Sequence, residues 1–303
     1  MNNKTLLLSL AASMLIGFGA CKKEKKVEVK EEVKKEEGIT VEQKQRSFIG
    51  YITATWCGPC GQYGGPNFKG GVTELGDDKI IAINLQTSSS KLTAYYQKDN
   101  STLAAPLMSQ FFGSLNIPTN AQGSFGIPAF SMNNVYLGGS SISPSTMVST
   151  ANTYNTNSPL LGVGAKMTIS GNKITVEAKS KFYAEGIGTY HWSAIAYENK
   201  LTGYQLVGGT ANENYEHVHA ARASILANDY TDQKVFGEAI NSGTVVSGTE
   251  FTKTFTFDYV SFPNLPAGLI PWNFDAANTK VAIMIWKKNG AKYEFVNGFV
   301  AKQ

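Results

Sequence analysis

Trp56-Cys57-Gly58-Pro59-Cys60 is the segment that most restricts what this chain can fold into. Two cysteines at C-x-x-C spacing can form a disulfide, act as a dithiol or supply half a metal site. A zinc site takes two further ligands, and the third cysteine, Cys21, lies in a segment of another kind. A redox or structural pair is therefore expected. The residues in front of it, Ser47 to Thr55, are apolar on both faces through Phe48, Ile49, Ile52 and Ala54, the pattern of a strand buried inside a sheet. Pro59 suits a first helical turn. A strand ending just before the motif places Cys57 at a helix N-terminus, where unpaired N–H groups and the helix dipole favour a thiolate. Lowering a thiol from about 8.5 to near 7 takes roughly 2 kcal/mol of anion stabilisation. Cys60, one turn inside, is then the resolving thiol, and Trp56 shields the pair.

The beginning of the chain reads as a processing and tethering segment. Lys4 precedes an uncharged apolar run from Thr5 to Leu15, too short to remain as a membrane span. Phe18-Gly19-Ala20-Cys21 resembles a bacterial lipoprotein processing box, although Leu is commoner where Phe18 stands. The resemblance implies a signal peptide over residues 1–20, lipid on Cys21 and a membrane as partner. Cys57 and Cys60 are then left to each other. Lys22 to Glu37 holds seven lysines and six glutamates and cannot bury a core, so residues 21–42 are expected to be a lipidated cysteine followed by a solvated tether. A net charge of +4 and only two arginines, Arg46 and Arg222, give nucleic-acid binding no basic stripe.

Two textures divide the remainder. Over residues 43–157, Lys79 to Gln86 reads as a second buried strand, and Pro106 to Leu115 as a helix opened by its proline. Phe125 to Ser131 and Val135 to Gly138 read as a hairpin across Asn133-Asn134. Ser143-Pro144 caps a last helix. The order is β-α-β-α-β-β-α. After Cys60, the glycines Gly61, Gly64, Gly65, Gly70 and Gly71 predict a weak helix, broken near Gly64-Gly65 and resumed from Pro66 toward Leu75. Beyond Ser158-Pro159, alternating runs at Ile174–Phe182, Phe251–Tyr259, Val281–Trp286 and Tyr293–Val300 predict an antiparallel sandwich over residues 158–303. The expected fold class is therefore an α/β domain followed by an all-β antiparallel sandwich.

Trp56-Cys57-Gly58-Pro59-Cys60 matches the active-site motif of thioredoxins, and residues 43–157 resemble a thioredoxin-like domain. That resemblance implies a cis-proline opposite the dithiol. Ile117-Pro118 leads into a loop and Ile127-Pro128 into a strand, so Pro128 is the choice, with Ile127 presenting its backbone to an extended substrate. It also implies a buried aspartate six residues before the first cysteine, where Tyr51 stands here. The mature chain further resembles the outer-membrane-protein-28 family of Gram-negative lipoproteins, through the C-x-x-C and through Tyr215-Glu-His217-Val218-His-Ala-Ala-Arg222 followed by Val235-Phe236-Gly237. Together these imply an oxidoreductase anchored outside the cytoplasm, in the cell envelope and most readily at the outer membrane. It would act on protein thiols or disulfides, without a cofactor, and draw on an electron-donating partner if it reduces. The other reading is a surface or binding lipoprotein whose disulfide is structural and whose sandwich carries recognition.

Other candidates are weaker. His217 and His219, with Glu213 or Glu216 near in sequence, lack a third ligand at a diagnostic spacing, and polar strand residues are the plainer reading. Tyr95, Tyr96, Trp192, Trp272 and Trp286 are read as core or hairpin residues before a binding surface.

Overall fold

The computed structural model describes residues 38–87, 104–121, 123–225, 234–258 and 275–303. The segment expected to be a signal peptide, the expected lipidation site Cys21, the expected tether to residue 37, and Tyr95, Tyr96 and Trp272 lie outside the described residues. The described chain is mostly β-sheet with a few short helices.

Its first half runs β1 (Ser47–Thr53), α1 (Gly65–Leu75), β2 (Ile80–Gln86), α2 (Ala104–Leu115), β3 (Ala129–Met132), β4 (Val135–Gly138) and α3 (Pro144–Asn155). Every residue of β1 and β2 is buried, which is why neither shows polar alternation. Asn133 and Asn134 turn the β3–β4 hairpin with φ of 48° and 68°, the left-handed values of a tight two-residue turn. Ser143 caps α3 by accepting the Thr146 N–H at 3.1 Å. The break expected at Gly64-Gly65 is absent. A π-helical turn over Cys60–Gly64 continues directly into α1.

The second half holds β5 (Leu161–Ser170), β6 (Lys173–Phe182), β7 (Gly186–Ile187), β8 (Tyr190–Val207), β9 (Thr210–Ser224), β10 (Glu238–Ala239), β11 (Thr244–Val245), β12 (Glu250–Asp258), β13 (Thr279–Asn289) and β14 (Lys292–Ala301). One sheet carries strands from both halves, in the order β14-β13-β8-β9-β2-β1-β3-β4. β1 and β2 are parallel, with Ser47 opposite Ile80, and β3 is antiparallel to β1. The halves join where β2 meets β9 in a parallel bridge at Asn84 and Ala220. Side chains extend that narrow seam: Asn84 Nδ2 donates to the Val218 carbonyl at 3.3 Å, and His219 Nδ1 to the Ala82 carbonyl at 3.0 Å.

The long sheet is covered on both faces. On one face Phe48, Ile83, Tyr197, Met284 and Trp286 pack with Phe111 and Leu115 of α2. On the other, α1 and α3 cover Ile49, Tyr51, Ala82 and Phe130, while the three-stranded sheet β12-β6-β5 covers β8 and β13 through Val163, Val176, Phe255, Ala194 and Ile283. Trp192 is buried between the two sheets and Trp286 on the α2 face, where Trp286 Nε1 donates to Ser193 Oγ at 2.8 Å. Both arginines are buried in ion pairs, Arg46 with Glu42 at 2.7 Å and Arg222 with Glu198 at 3.2 Å. Gly38–Gln303 is one compact unit, and Asn157-Ser158 falls inside it, between α3 and β5.

Candidate functional site

Strand β1 delivers the motif to the edge of the core, and the helix beyond it begins at once. Cys57 N–H donates to the Ala54 carbonyl at 3.1 Å, and the Cys57 carbonyl accepts the Gly61 N–H at 3.2 Å. Cys57 and Cys60 are joined by a disulfide. The Cys60 backbone N–H points at Cys57 Sγ, 3.1 Å away. When the pair is reduced, that N–H and the helix terminus both favour a thiolate on Cys57. Cys57 is 5% exposed and Cys60 1%, so the outer sulfur belongs to Cys57. Trp56, expected to shield the pair, is itself 39% exposed. The Ile127–Pro128 peptide bond is cis, and the Ile127 carbonyl oxygen lies 3.7 Å from Cys57 Sγ. Pro118 sits in the loop after α2.

The β8–β9 hairpin, from the far half of the chain, is seated on the motif. Leu206 N–H donates to the Thr55 carbonyl at 2.7 Å and Gly208 N–H to the Gly58 carbonyl at 3.1 Å. Gln205 Nε2 reaches the carbonyls of Ala54 at 3.2 Å and Cys57 at 3.0 Å, and the Tyr215 hydroxyl donates to the Gly61 carbonyl at 3.3 Å. This seating explains two of the glycines, Gly61 and Gly65. A Cβ on Gly61 would overlap the Leu206 carbonyl oxygen and stand 2.7 Å from Gln205 Cγ, and one on Gly65 would overlap the Tyr215 hydroxyl. They are contact surface for the hairpin rather than flaws in a helix.

Gly61→Ala is accordingly expected to destabilise the protein, although alanine is the better helix former. Helix propensity gives back up to ~1 kcal/mol, while overpacking against a backbone oxygen costs about 1–3 kcal/mol or more. Gly113→Ala, on an exposed face of α2 with open space around it, should stabilise by ~0.5–1 kcal/mol. Urea midpoints of the two variants should move in opposite directions; equal shifts would remove the packing explanation.

Behind the disulfide lies a cavity of about 10 Å³, on the order of one water, lined among others by Tyr51, Thr53, Cys60, Asn84, Glu216 and His217. Tyr51 is buried, and its O–H donates to Thr53 Oγ1 at 3.0 Å and lies 3.4 Å from the Cys60 carbonyl oxygen. Burial raises its ionisation far above the ordinary phenol range, so Tyr51 is a neutral hydrogen-bond donor where the resemblance puts a carboxylate. The histidines are not surface residues. His217 Nε2 donates to the Tyr204 carbonyl at 3.1 Å, and burial pushes its ring down to about 4, leaving it neutral at neutral pH. Glu216 is drawn to Lys69 at 2.7 Å, whose hydrogen bond holds its carboxyl below the usual range. Glu213 is exposed on β9.

Gln205 carries no motif, Tyr215 opens the stretch that resembles the lipoprotein family, and neither was among the expected site residues. The apolar run Trp192 to Tyr197 and the Gly208-Gly209 pair are the sequence signals of a buried strand and a turn that could have located their hairpin.

No family model matches this chain, and no curated protein matches it. Among solved structures it is similar to HBP35 of Porphyromonas gingivalis, at 18% identity and a TM-score of 0.59, covering 86% of this chain and 76% of that one. At that identity the likeness shows the fold alone. A domain of the outer membrane lipoprotein Omp28 from Porphyromonas gingivalis aligns over 48% of this chain and 88% of its own, at 14% identity and a TM-score of 0.29.

Proposed function

We propose that this protein is a membrane-anchored thiol–disulfide oxidoreductase working outside the cytoplasm, with a thioredoxin-like first half and lipid on Cys21. The observation that carries this reading is the Cys57–Cys60 disulfide at the start of a helix, with the Cys60 N–H aimed at Cys57 Sγ and the Ile127–Pro128 backbone beside it. Parallel β1 and β2, antiparallel β3 and β4, and helices on both faces support the thioredoxin-like reading of the first half. The lipoprotein-like box before Cys21 supports the anchor and an envelope location.

In the reducing direction the Cys57 thiolate attacks one sulfur of a substrate disulfide, and the other leaves as a thiolate. Cys60 then gives up its proton and attacks Cys57 Sγ. The Cys57–Cys60 disulfide forms and the second substrate sulfur departs. Two electrons and two protons have moved to the substrate, and a dithiol partner must return them before the next cycle. The two sulfurs carry the electrons without a cofactor. Ile127 would align an extended substrate beside Cys57. With neutral Tyr51 and a salt-bridged Glu216 nearest the cavity, deprotonation of Cys60 is expected to be the slow step.

The near-complete burial of both cysteines beneath the hairpin also favours a second reading, a binding lipoprotein in which the disulfide is a staple. Trapping separates the two. Cys60→Ser should accumulate mixed disulfides through Cys57, while Cys57→Ser should accumulate few, because the outer sulfur is the attacking one. Equal, negligible alkylation of both reduced cysteines at neutral pH, with no reduction of insulin, decides for the staple.

A further inference from the structure

The carbonyls of Ala54, Thr55, Cys57 and Gly58 all accept hydrogen bonds from the β8–β9 hairpin. These four oxygens belong to the loop that carries the outer sulfur, and their donors come from residues roughly 150 positions later in the chain. Two donors are backbone N–H groups, of Leu206 and Gly208. The side-chain donor is a single buried carboxamide, Gln205, 1% exposed. Its Nε2 lies 3.0 Å from the Cys57 carbonyl, 3.2 Å from that of Ala54 and 3.0 Å from that of Leu206. Gln205 thus ties the loop on both sides of Trp56 to the hairpin. Further along the helix, Tyr215 on Gly61 and the exposed Lys69–Glu216 ion pair hold the other strand of the hairpin in place.

We propose that Gln205 is a positioning residue of the Cys57–Cys60 couple, through which the β8–β9 hairpin sets the equilibrium between dithiol and disulfide. The inference rests on the reading that the pair undergoes exchange. Its physical basis is an asymmetry between the two states. In the disulfide, the S–S bond itself fixes Cys57 against Cys60. In the dithiol that link is gone, and the loop from Ala54 to Gly58 is held by its hydrogen bonds alone. Donors that hold the loop near its closed geometry therefore restrict the dithiol more than the disulfide. They keep the Cys60 sulfur at a high effective concentration for closure, as preorganisation does in any ring-forming step. Removing the Gln205 donor loosens the dithiol and shifts the equilibrium toward it. A structural hydrogen bond that stabilised both states equally would lower the melting temperature and leave the equilibrium where it was.

The test uses the full chain in glutathione buffers. The reaction is Cys57–Cys60 disulfide plus two glutathione thiols giving the dithiol plus glutathione disulfide, so the two electrons and two protons gained by the pair come from glutathione. Gln205→Met keeps the length and removes the donor. Gln205→Glu keeps the shape, removes the Nε2–H groups and turns a carboxylate toward the Cys57 carbonyl. Gln205→Met is expected to shift the equilibrium at least tenfold toward the dithiol, which is about 30 mV for a two-electron couple; the shift in Gln205→Glu should be smaller, because a charge that disfavours the thiolate also disfavours the reduced pair. Gln205→Glu should also move the alkylation profile of Cys57 to higher pH, because an added negative charge disfavours the thiolate. A folded Gln205→Met variant with a lowered melting temperature but an equilibrium constant within twofold of the parent would overturn the proposal. So would failure of both variants to fold as disulfides, which would assign Gln205 to stability alone. A parent protein whose pair does not exchange with glutathione at all would overturn the oxidoreductase reading along with it, and is recognised before any variant is made.

Discussion

A fragment beginning at Leu160 is expected to show no cooperative thermal transition, although it contains every strand from β5 to β14. The sandwich core between β5-β6-β12 and β8-β13 would survive the cut. The opposite face of the same strands would not. Ile195, Tyr197, Met284, Trp286, Phe295 and Val300 pack there against Phe48, Ile81, Ile83 and Phe111 of the first half. Burying a large apolar side chain contributes about 1.5–3 kcal/mol, so uncovering six such residues forfeits on the order of 10 kcal/mol, comparable with the whole stability of a typical domain. Polar groups are stranded too: buried Asn297 Nδ2 donates to the Lys44 carbonyl at 2.9 Å, and its Oδ1 accepts the Arg46 N–H at 3.0 Å. Thermal circular dichroism of residues 160–303 beside residues 38–303 is the comparison to make. A sharp transition in the fragment near that of the longer protein would mean that the change of texture at Asn157-Ser158 does mark independent folding units.

What the sequence disclosed and what it hid divide along chain separation. The buried strands β1 and β2, the Asn133-Asn134 turn and the Ser143 cap rest on interactions spanning a few residues, and each could be read from local pattern. So could the position of Cys57 at a helix start. The merger of the two halves into one sheet could not. It depends on one parallel bridge at Asn84 and Ala220 and on side chains such as His219, none of which leaves a periodic trace. The glycines after Cys60 show the same limit in sharper form. Helix propensity is local and marks Gly61 and Gly65 as defects, whereas their contacts at Leu206 and Tyr215 lie about 150 residues away. β8 is legible only in part: its apolar run Trp192–Tyr197 signals a buried strand, but its continuation to Val207 through Glu198, Asn199, Lys200 and Gln205 leaves no apolar pattern. Its stretch Trp192–Glu198 is buried throughout.

Acid is expected to destabilise this protein well before its ion-paired carboxylates are protonated. His217 and His219 are buried, each donates to a backbone carbonyl, and burial pushes both rings down to about 4 from the ordinary 6.5. Asp77 and Lys280, paired with each other, face His219 with opposite effects on its charge. Between pH 6.5 and about 4 the unfolded chain binds protons that the native chain refuses, so native stability falls as pH falls through that window and levels off below it. At 1.36 kcal/mol for each unit of difference, each histidine accounts for about 3 kcal/mol at pH 4. Asp78 and Glu216, whose lysine partners hold their carboxyls below the usual range, contribute in the same direction but at lower pH. Melting temperature recorded from pH 7.5 to 4.5 should therefore drop steeply, and His217→Gln should remove roughly half of the slope. A flat profile over that range would show that neither ring is buried in neutral form. The location gives the effect a bearing on the site, since His217 lines the cavity behind Cys60 and lies on β9, the same hairpin strand that reaches Gly61 through Tyr215. Protonating it strains the same hairpin that holds the dithiol loop, so loss of the Tyr215–Gly61 contact should precede global unfolding. Tyrosine fluorescence or hydrogen exchange at Gly61 and Gly65 would register that order.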